Sequence, residues 1–211
     1  MSAALTEILK HKHDTTTTTT LCNDNDDKNN EEEPLFNVLE LGAGVGLTGL
    51  VLATKLPCRV LLTDLQDAMP LLETNIALNK DSFRCGPRAV SCRELKWGSN
   101  DNGNNDNNND AFPLLPLLVV AADCVYFQEL HQPLETTLMD LLLLQTTTMD
   151  SVVPRPFCLM AGARRWKRDN AFYANLAKRP KLACVCLEET VTRTKEGQRD
   201  IMRVYGLVGK T

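Results

Sequence analysis

A glycine-rich turn and a small set of acidic and aromatic residues stand where they could handle a small ligand. The turn is Gly42-Ala43-Gly44-Val45-Gly46, preceded by Glu40 and followed by a helical apolar pattern from Leu47. Glycines in alternation permit positive φ and bring the bare backbone close to a ligand. The same turn could also do no more than pack a helix tightly onto a strand. Glu40 faces the turn, where it can orient the loop or meet a ligand's ammonium group. Asp64 ends an apolar run 22 residues after Gly42 (64 − 42). There a carboxylate can accept both hydrogen bonds of a ribose diol, or cap the helix that follows. Trp97, in Leu95-Lys96-Trp97-Gly98, can cover a purine face or fill the core. Asp123-Cys124-Val125-Tyr126 follows another apolar run, so Asp123 stands at a strand end, where an α/β sheet binds its ligands.

The spacing selects among ligands. A dinucleotide fingerprint, G-x-G-x-x-G, would need glycine at Leu47. The observed G-x-G-x-G, with an acid two residues before it, resembles the pattern of S-adenosylmethionine (SAM) methyltransferases. That ligand has no pyrophosphate to set on a helix N-terminus. The stretch after Ala122 lacks the Asn-Pro-Pro-Tyr type motif of methyltransferases that act on base amines or glutamine. No metal site is expected: there are three histidines and eight cysteines, with no C-x-x-C pair. Several cysteines fall inside apolar runs and read as small buried hydrophobes in a reducing compartment.

These residues need a scaffold that brings strand ends together. Strand-like runs cover Asn37–Leu41, Arg59–Thr63, Ala89–Leu95, Leu117–Ala122 and Phe157–Ala161. Helical patterns fall at Leu47–Lys55, Ala68–Asn79, Leu134–Leu144 and Asn170–Ala177, with Met69, Leu72, Ile76 and Asn79 on one face of the second. The alternation predicts an α/β fold, a largely parallel Rossmann-like sheet with helices on both faces. Two late strands, Ala183–Leu187 and Met202–Val208, are joined by a polar link from Glu188 to Asp200. They are expected to form an antiparallel edge pair, the ending of a seven-stranded methyltransferase sheet. In such a sheet ligands bind beyond the carboxyl ends of the strands.

The chain's length suggests one domain, expected over 34–211, with 1–33 as a short helix and a disordered tract. Thr15–Thr20, the Asn/Asp/Glu-rich run that follows it, and the loop Ser99–Asp110 are too polar to offset their chain entropy by burial. A net charge of −4 and pI near 5.4 argue against nucleic acid as the main partner. The cluster Arg164, Arg165, Lys167 and Arg168 reads as solvated surface. Met1–His13 lacks the apolar core of a signal peptide, and no membrane span is expected.

Four blocks carry a closer resemblance: Val38–Leu50, Leu62–Asn79, Glu94–Gly98 and Ala121–Leu130, with weaker similarity from Arg165 to Phe172. In this order they resemble the seven-β-strand protein-lysine methyltransferases of the methyltransferase-like 21 group. The conjunction of Leu-Lys-Trp-Gly with Asp-x-Val-Tyr is more specific than the glycine turn. The resemblance implies SAM as cofactor, with Gly42, Ala43 and Gly44 on the ligand backbone to backbone and Gly46 completing the turn. It implies Asp64 on the ribose, Trp97 on the adenine, Ala122 beside it, and Asp123 and Tyr126 shaping the acceptor channel. It further implies a monomer acting on a protein substrate, by family a chaperone or ATPase, in the cytoplasm with the nucleus as a second compartment. The family carries an upstream segment with a cofactor-contacting tryptophan before a helix like Ser2–Leu9, so the chain is expected to start inside the family's domain. The reaction would be in-line attack of a neutral lysine amine on a sulfonium methyl, driven mainly by proximity. Two other readings stay open at this point: a methyltransferase for a small molecule or another side chain, and a non-catalytic interaction module of the same fold.

Overall fold

A computed structural model describes residues 32–98, 118–143, 156–163, 167–193 and 199–210. The helix expected at Ser2–Leu9, the threonine tract, the loop Ser99–Asp110 and the pair Arg164–Arg165 lie outside them. The chain runs β1 (Phe36–Leu41), α1 (Leu47–Lys55), β2 (Cys58–Asp64), α2 (Met69–Asn79), β3 (Val90–Glu94), β4 (Leu118–Ala122), α3 (His131–Leu143), β5 (Phe157–Ala163), α4 (Lys167–Ala177), β6 (Leu182–Arg193) and β7 (Arg199–Gly209).

The strands form one seven-stranded sheet in the order β3-β2-β1-β4-β5-β7-β6. β1 lies between β2 and β4 and pairs with both in parallel, Val38 standing opposite Val60 and Leu118. The sheet grows outward from β1 through β2 to β3, then restarts on the other side at β4. A crevice must therefore open beyond the ends of β1 and β4, where the chain turns away in opposite directions. Both edges of the crevice are set by apolar strands. Leu118, Val119, Val120 and Ala121 are all buried, as expected of strands covered on two faces.

Alternate side chains build two cores. Leu39, Leu41, Leu61, Val119, Ala121, Cys158 and Met160 pack with Leu134, Leu138 and Leu142 of α3 and Phe172 and Leu176 of α4. Val38, Val60, Leu62, Leu118 and Val120 pack on the opposite face with Leu50 and Ala53 of α1 and Met69 and Leu72 of α2. On α2 the expected apolar stripe ends early: Ile76 is half-buried and Asn79 is exposed, its amide donating to the Asn75 carbonyl.

The end of the chain departs from the sequence reading. The stretch from Glu188 is mostly strand rather than link, since β6 continues to Arg193 and β7 begins at Arg199. β7 inserts between β5 and β6, antiparallel to both. Glu188–Arg193 is exposed along its whole length, so it is mostly polar for lack of a core and not for lack of pairing. Thr190 stands opposite Met202 and Val191 opposite Ile201, and Arg203 donates to Glu189 at 2.7 Å across the strands. A register shift between Cys186 and Glu188 accommodates Leu187 as a bulge. α3 also begins earlier than its apolar pattern, at His131, because Pro133 is tolerated in a first turn.

Candidate active site

The glycine turn links β1 to α1 through three residues of positive φ: Gly42 at 61°, Gly44 at 56° and Gly46 at 81°. A side chain in that region costs roughly 1–2 kcal/mol, which accounts for the alternation. The three glycines face different surroundings. A Cβ on Gly42 would lie 2.9 Å from Cζ2 of Trp97 and 3.0 Å from Sγ of Cys124, and one on Gly46 would lie 2.9 Å from Leu62. A Cβ on Gly44 would meet nothing within 4 Å. Gly44 is thus the turn's open side, where a ligand can come up to the backbone.

The turn is tied down on every side. Gly46 N–H donates to the Ala43 carbonyl at 2.8 Å, and Ala43 N–H to the Thr63 carbonyl at 2.9 Å. The Asn75 amide donates to the Val45 carbonyl at 2.8 Å. Asp64 sits at the carboxyl end of β2 and accepts from Gly44 N–H at Oδ2 and from Leu65 N–H at Oδ1, each at 2.7 Å. Its carboxylate is half-buried at the rim of the crevice. Each carboxylate oxygen has a second lone pair, so a diol can still be accepted there. The open cradle at Gly44 beside this anchored acceptor fits the ribose end of SAM.

Glu40 is buried where β1 meets the start of α1. It is 2% exposed, and its Oε2 accepts from Gly49 N–H at 2.8 Å. α1 has no side-chain N-cap of its own, since Gly46 occupies that position. The carboxyl from β1 caps its first turn from below. Burial pushes Glu40 up to about 7, against the lowering effect of the Gly49 and Thr48 hydrogen bonds. Thr63, equally buried, donates its hydroxyl to the Glu40 carbonyl at 2.6 Å. The structure thus brings Glu40 to the underside of the loop and Asp64 to its rim.

Trp97 lies just past β3, half-buried, with its benzo edge under Gly42 and its body against the α3 side of the sheet. Gly98, at φ 74°, brings that loop onto α3: a Cβ there would be 3.0 Å from Cα of Pro133, and Gly98 N–H donates to Thr137 Oγ1 at 2.9 Å.

Across the crevice, Ala122 ends β4, and Asp123 follows at φ 59°. Asp123 is the one non-glycine residue of positive φ among the described residues. Aspartate tolerates this region better than most residues, and such outliers concentrate at functional sites. Its N–H donates to the Ala161 carbonyl at 2.6 Å. Cys124 then runs back under the glycine turn and donates its Sγ–H to the Leu41 carbonyl at 3.1 Å. Burial pushes this thiol up to about 12, so it stays protonated and acts as a buried strut between β1 and β4. Tyr126 lies further out, 38% exposed, with its ring 4.7 Å from that of Phe127.

Beside Asp123 is a cavity that the sequence did not announce, lined by Val125, Gly162, Asn170, Tyr173, Arg203 and Tyr205. Its walls come from β5, α4 and β7, which no local motif connects to Asp123. Tyr126 is not among them. Among the described residues no three His, Cys, Asp or Glu side chains gather as a metal site, and no helix is long and apolar enough to cross a membrane.

Residues 3–179 match the sequence pattern of a family described as lysine methyltransferase. The chain is 35% identical over 156 residues to the protein-lysine N-methyltransferase EFM6 of Saccharomyces cerevisiae, covering 67% of this chain and 55% of that protein. It is 34% identical over 144 residues to the protein N-lysine methyltransferase METTL21A of Danio rerio, covering 68% and 56%. The chain spans about half the length of these curated relatives. Among solved structures, the methyltransferase domain of bacterial CtHen1 shares the fold, with a TM-score of 0.54 at 13% identity over 80% of this chain and 89% of that one. On its sequence, its sheet and the order of its blocks, the chain belongs to the lysine methyltransferase family.

Proposed function

We propose that this protein is a SAM-dependent methyltransferase that modifies a lysine side chain of a protein substrate. The observation that carries the reading is the pairing of an open, backbone-lined cradle at Gly44, closed by Asp64, with Asp123 held in a strained conformation across the same crevice. Family membership supports the chemistry, and the relatives' printed names support lysine as the acceptor.

SAM, when bound, supplies an electrophilic methyl group. The chain's own groups do the rest. Asp64 holds the ribose end, and the amides of Gly42, Ala43 and Gly44 line the path beside it. Trp97 and Ala122 border the adenine side. Asp123 receives N–H donors from the acceptor amine and orients it, and Tyr126 borders the entrance. A free lysine is protonated near pH 7, so the site must take the deprotonated form. Asp123 positions that amine, and the displaced proton leaves to water.

The partner is a protein, by family resemblance a chaperone or an ATPase, and the protein works as a monomer without nucleic acid or membrane. A cytoplasmic and nuclear setting is supported by the thiols: Cys58, Cys85, Cys92, Cys124, Cys158, Cys184 and Cys186 are all free. Calorimetric titration with SAM and with S-adenosylhomocysteine tests the reading. Saturable binding of both is expected; binding of neither would leave the interaction-module reading in its place.

A further inference from the structure

A slot beside Asp123 exists because residue 162 has no side chain. A Cβ built on Gly162 would lie 3.8 Å from Asp123 Oδ1, 3.8 Å from Asp123 Cα and 3.8 Å from the Tyr173 hydroxyl. The two oxygens, on different elements, thus border the same open space beyond Gly162. Tyr173 is held in place there. Its ring stacks on Tyr205 with centroids 3.8 Å apart and planes 9° apart, and meets Phe172 edge-on at 5.4 Å. Burial pushes its hydroxyl well above the usual range, so it stays a neutral phenol able to accept a hydrogen bond. The cation on the cavity wall is engaged: Arg203 donates from Nε to Glu189 at 2.7 Å and from Nη1 to Asn170 at 2.6 Å. It therefore does not confront an incoming amine as a bare charge.

We propose that this slot receives the acceptor nitrogen, with Asp123 Oδ1 and the Tyr173 hydroxyl oxygen each accepting one of its N–H groups, and with Gly162 as the residue that makes room for it. The inference rests on the methyltransferase reading above. A neutral primary amine has two N–H groups and one lone pair. Committing both N–H groups to fixed oxygens leaves the lone pair as the one free direction, which is the orientation in-line attack requires. The lone pair forms the new N–C bond while the electron pair of the breaking S–C bond stays on sulfur. The resulting secondary ammonium releases one proton to water.

The test compares two probes on the intact protein: S-adenosylhomocysteine, and an analogue in which its sulfur is replaced by a nitrogen bearing a 2-(butylamino)ethyl arm. Protonated at neutral pH, the arm's secondary amine carries two N–H groups into the acceptor position. In the parent protein the arm should tighten binding about tenfold or more over S-adenosylhomocysteine, the worth of one or two hydrogen bonds to fixed partners. Gly162→Ala, which meets only ordinary contacts, and Tyr173→Phe, which keeps the stacked ring, should bring that ratio toward one while S-adenosylhomocysteine binding changes less than about twofold. If Gly162→Ala fails to fold, Tyr173→Phe decides alone. A ratio unchanged in the variants overturns the slot, as does an arm that adds nothing to a parent protein that binds S-adenosylhomocysteine. A parent protein that binds neither probe overturns the methyltransferase reading, and the slot with it.

Discussion

On the proposed reading, residues in the crevice divide the labour between holding the loop, holding the cofactor and meeting the acceptor. Glu40 holds the loop, and its burial has a consequence for stability. Its folded value is about 7 against an ordinary 4.5. Below about pH 4.5 the carboxyl is protonated in both folded and unfolded chains, and no penalty applies. Between the two values the folded chain binds the extra proton, so stability from this group falls as pH rises. Above about pH 7 the full cost remains, of order 3 kcal/mol at 1.36 kcal/mol per unit. Glu40→Gln keeps an oxygen for the Gly49 amide and removes the charge. Its urea midpoints at pH 5 and pH 8 should therefore differ less than those of the parent, with the variant gaining at pH 8. Equal slopes in the two proteins would mean that Glu40 is solvated. The roles proposed for Asp64 and Asp123 separate in the same way. Asp64→Ala should weaken SAM by roughly 1.5–3 kcal/mol, the worth of hydrogen bonds to a charged group. Asp123→Asn should leave SAM affinity nearly intact and cut single-turnover methyl transfer, since its carboxylate stands on the acceptor side. Equal losses of affinity and rate would assign Asp123 to the cofactor instead.

At the scale of elements, the loops at the carboxyl ends depend on how the helices brace them. The Trp97 loop rests on α3 through Gly98, whose backbone is both left-handed and close to Pro133. Gly98→Ala should cost about 1–2 kcal/mol in conformation alone, and more from the contact at Pro133. Trp97 should shift with it, so the melting temperature and SAM affinity should fall together; an unchanged affinity in a destabilised variant would free Trp97 from any cofactor role. Strands and helices up to β5 were legible in the sequence because apolar runs of strand length alternate with helical stripes, from Val38 to Met160. The extended β6–β7 ribbon was not, because Glu188–Arg193 has no buried face to print a period of two into the sequence. The glycine turn, Asp64 and Asp123 were legible because each sits at a strand end within one local motif. Gly162, Tyr173 and Tyr205 were not, because only the folded sheet, with β7 inserted beside β5, brings them to Asp123. Glu40 was visible as an acid near the turn, but the face it takes depends on strand register. With Val38 and Leu39 fixed on opposite cores, Glu40 must point to the α1 side.

For the whole molecule, the glycine turn and Asp123 border one crevice at the switch between β1 and β4, the place proposed for cofactor and acceptor, and the buried Cys124 strut joins its two sides. Binding at such a place should stabilise the entire sheet. At about 100 times its dissociation constant SAM should add about 2.7 kcal/mol, a rise of several degrees in melting temperature for a chain of this size. The central claim is methyl transfer to lysine, and one measurement reaches it directly. The protein is incubated with methyl-tritiated SAM and a cell extract, the proteins are hydrolysed, and the labelled amino acid is separated. The account predicts label in Nε-methylated lysine with the parent protein and its loss with Asp64→Ala. Label on any other amino acid, or none from a protein that binds SAM, would contradict it.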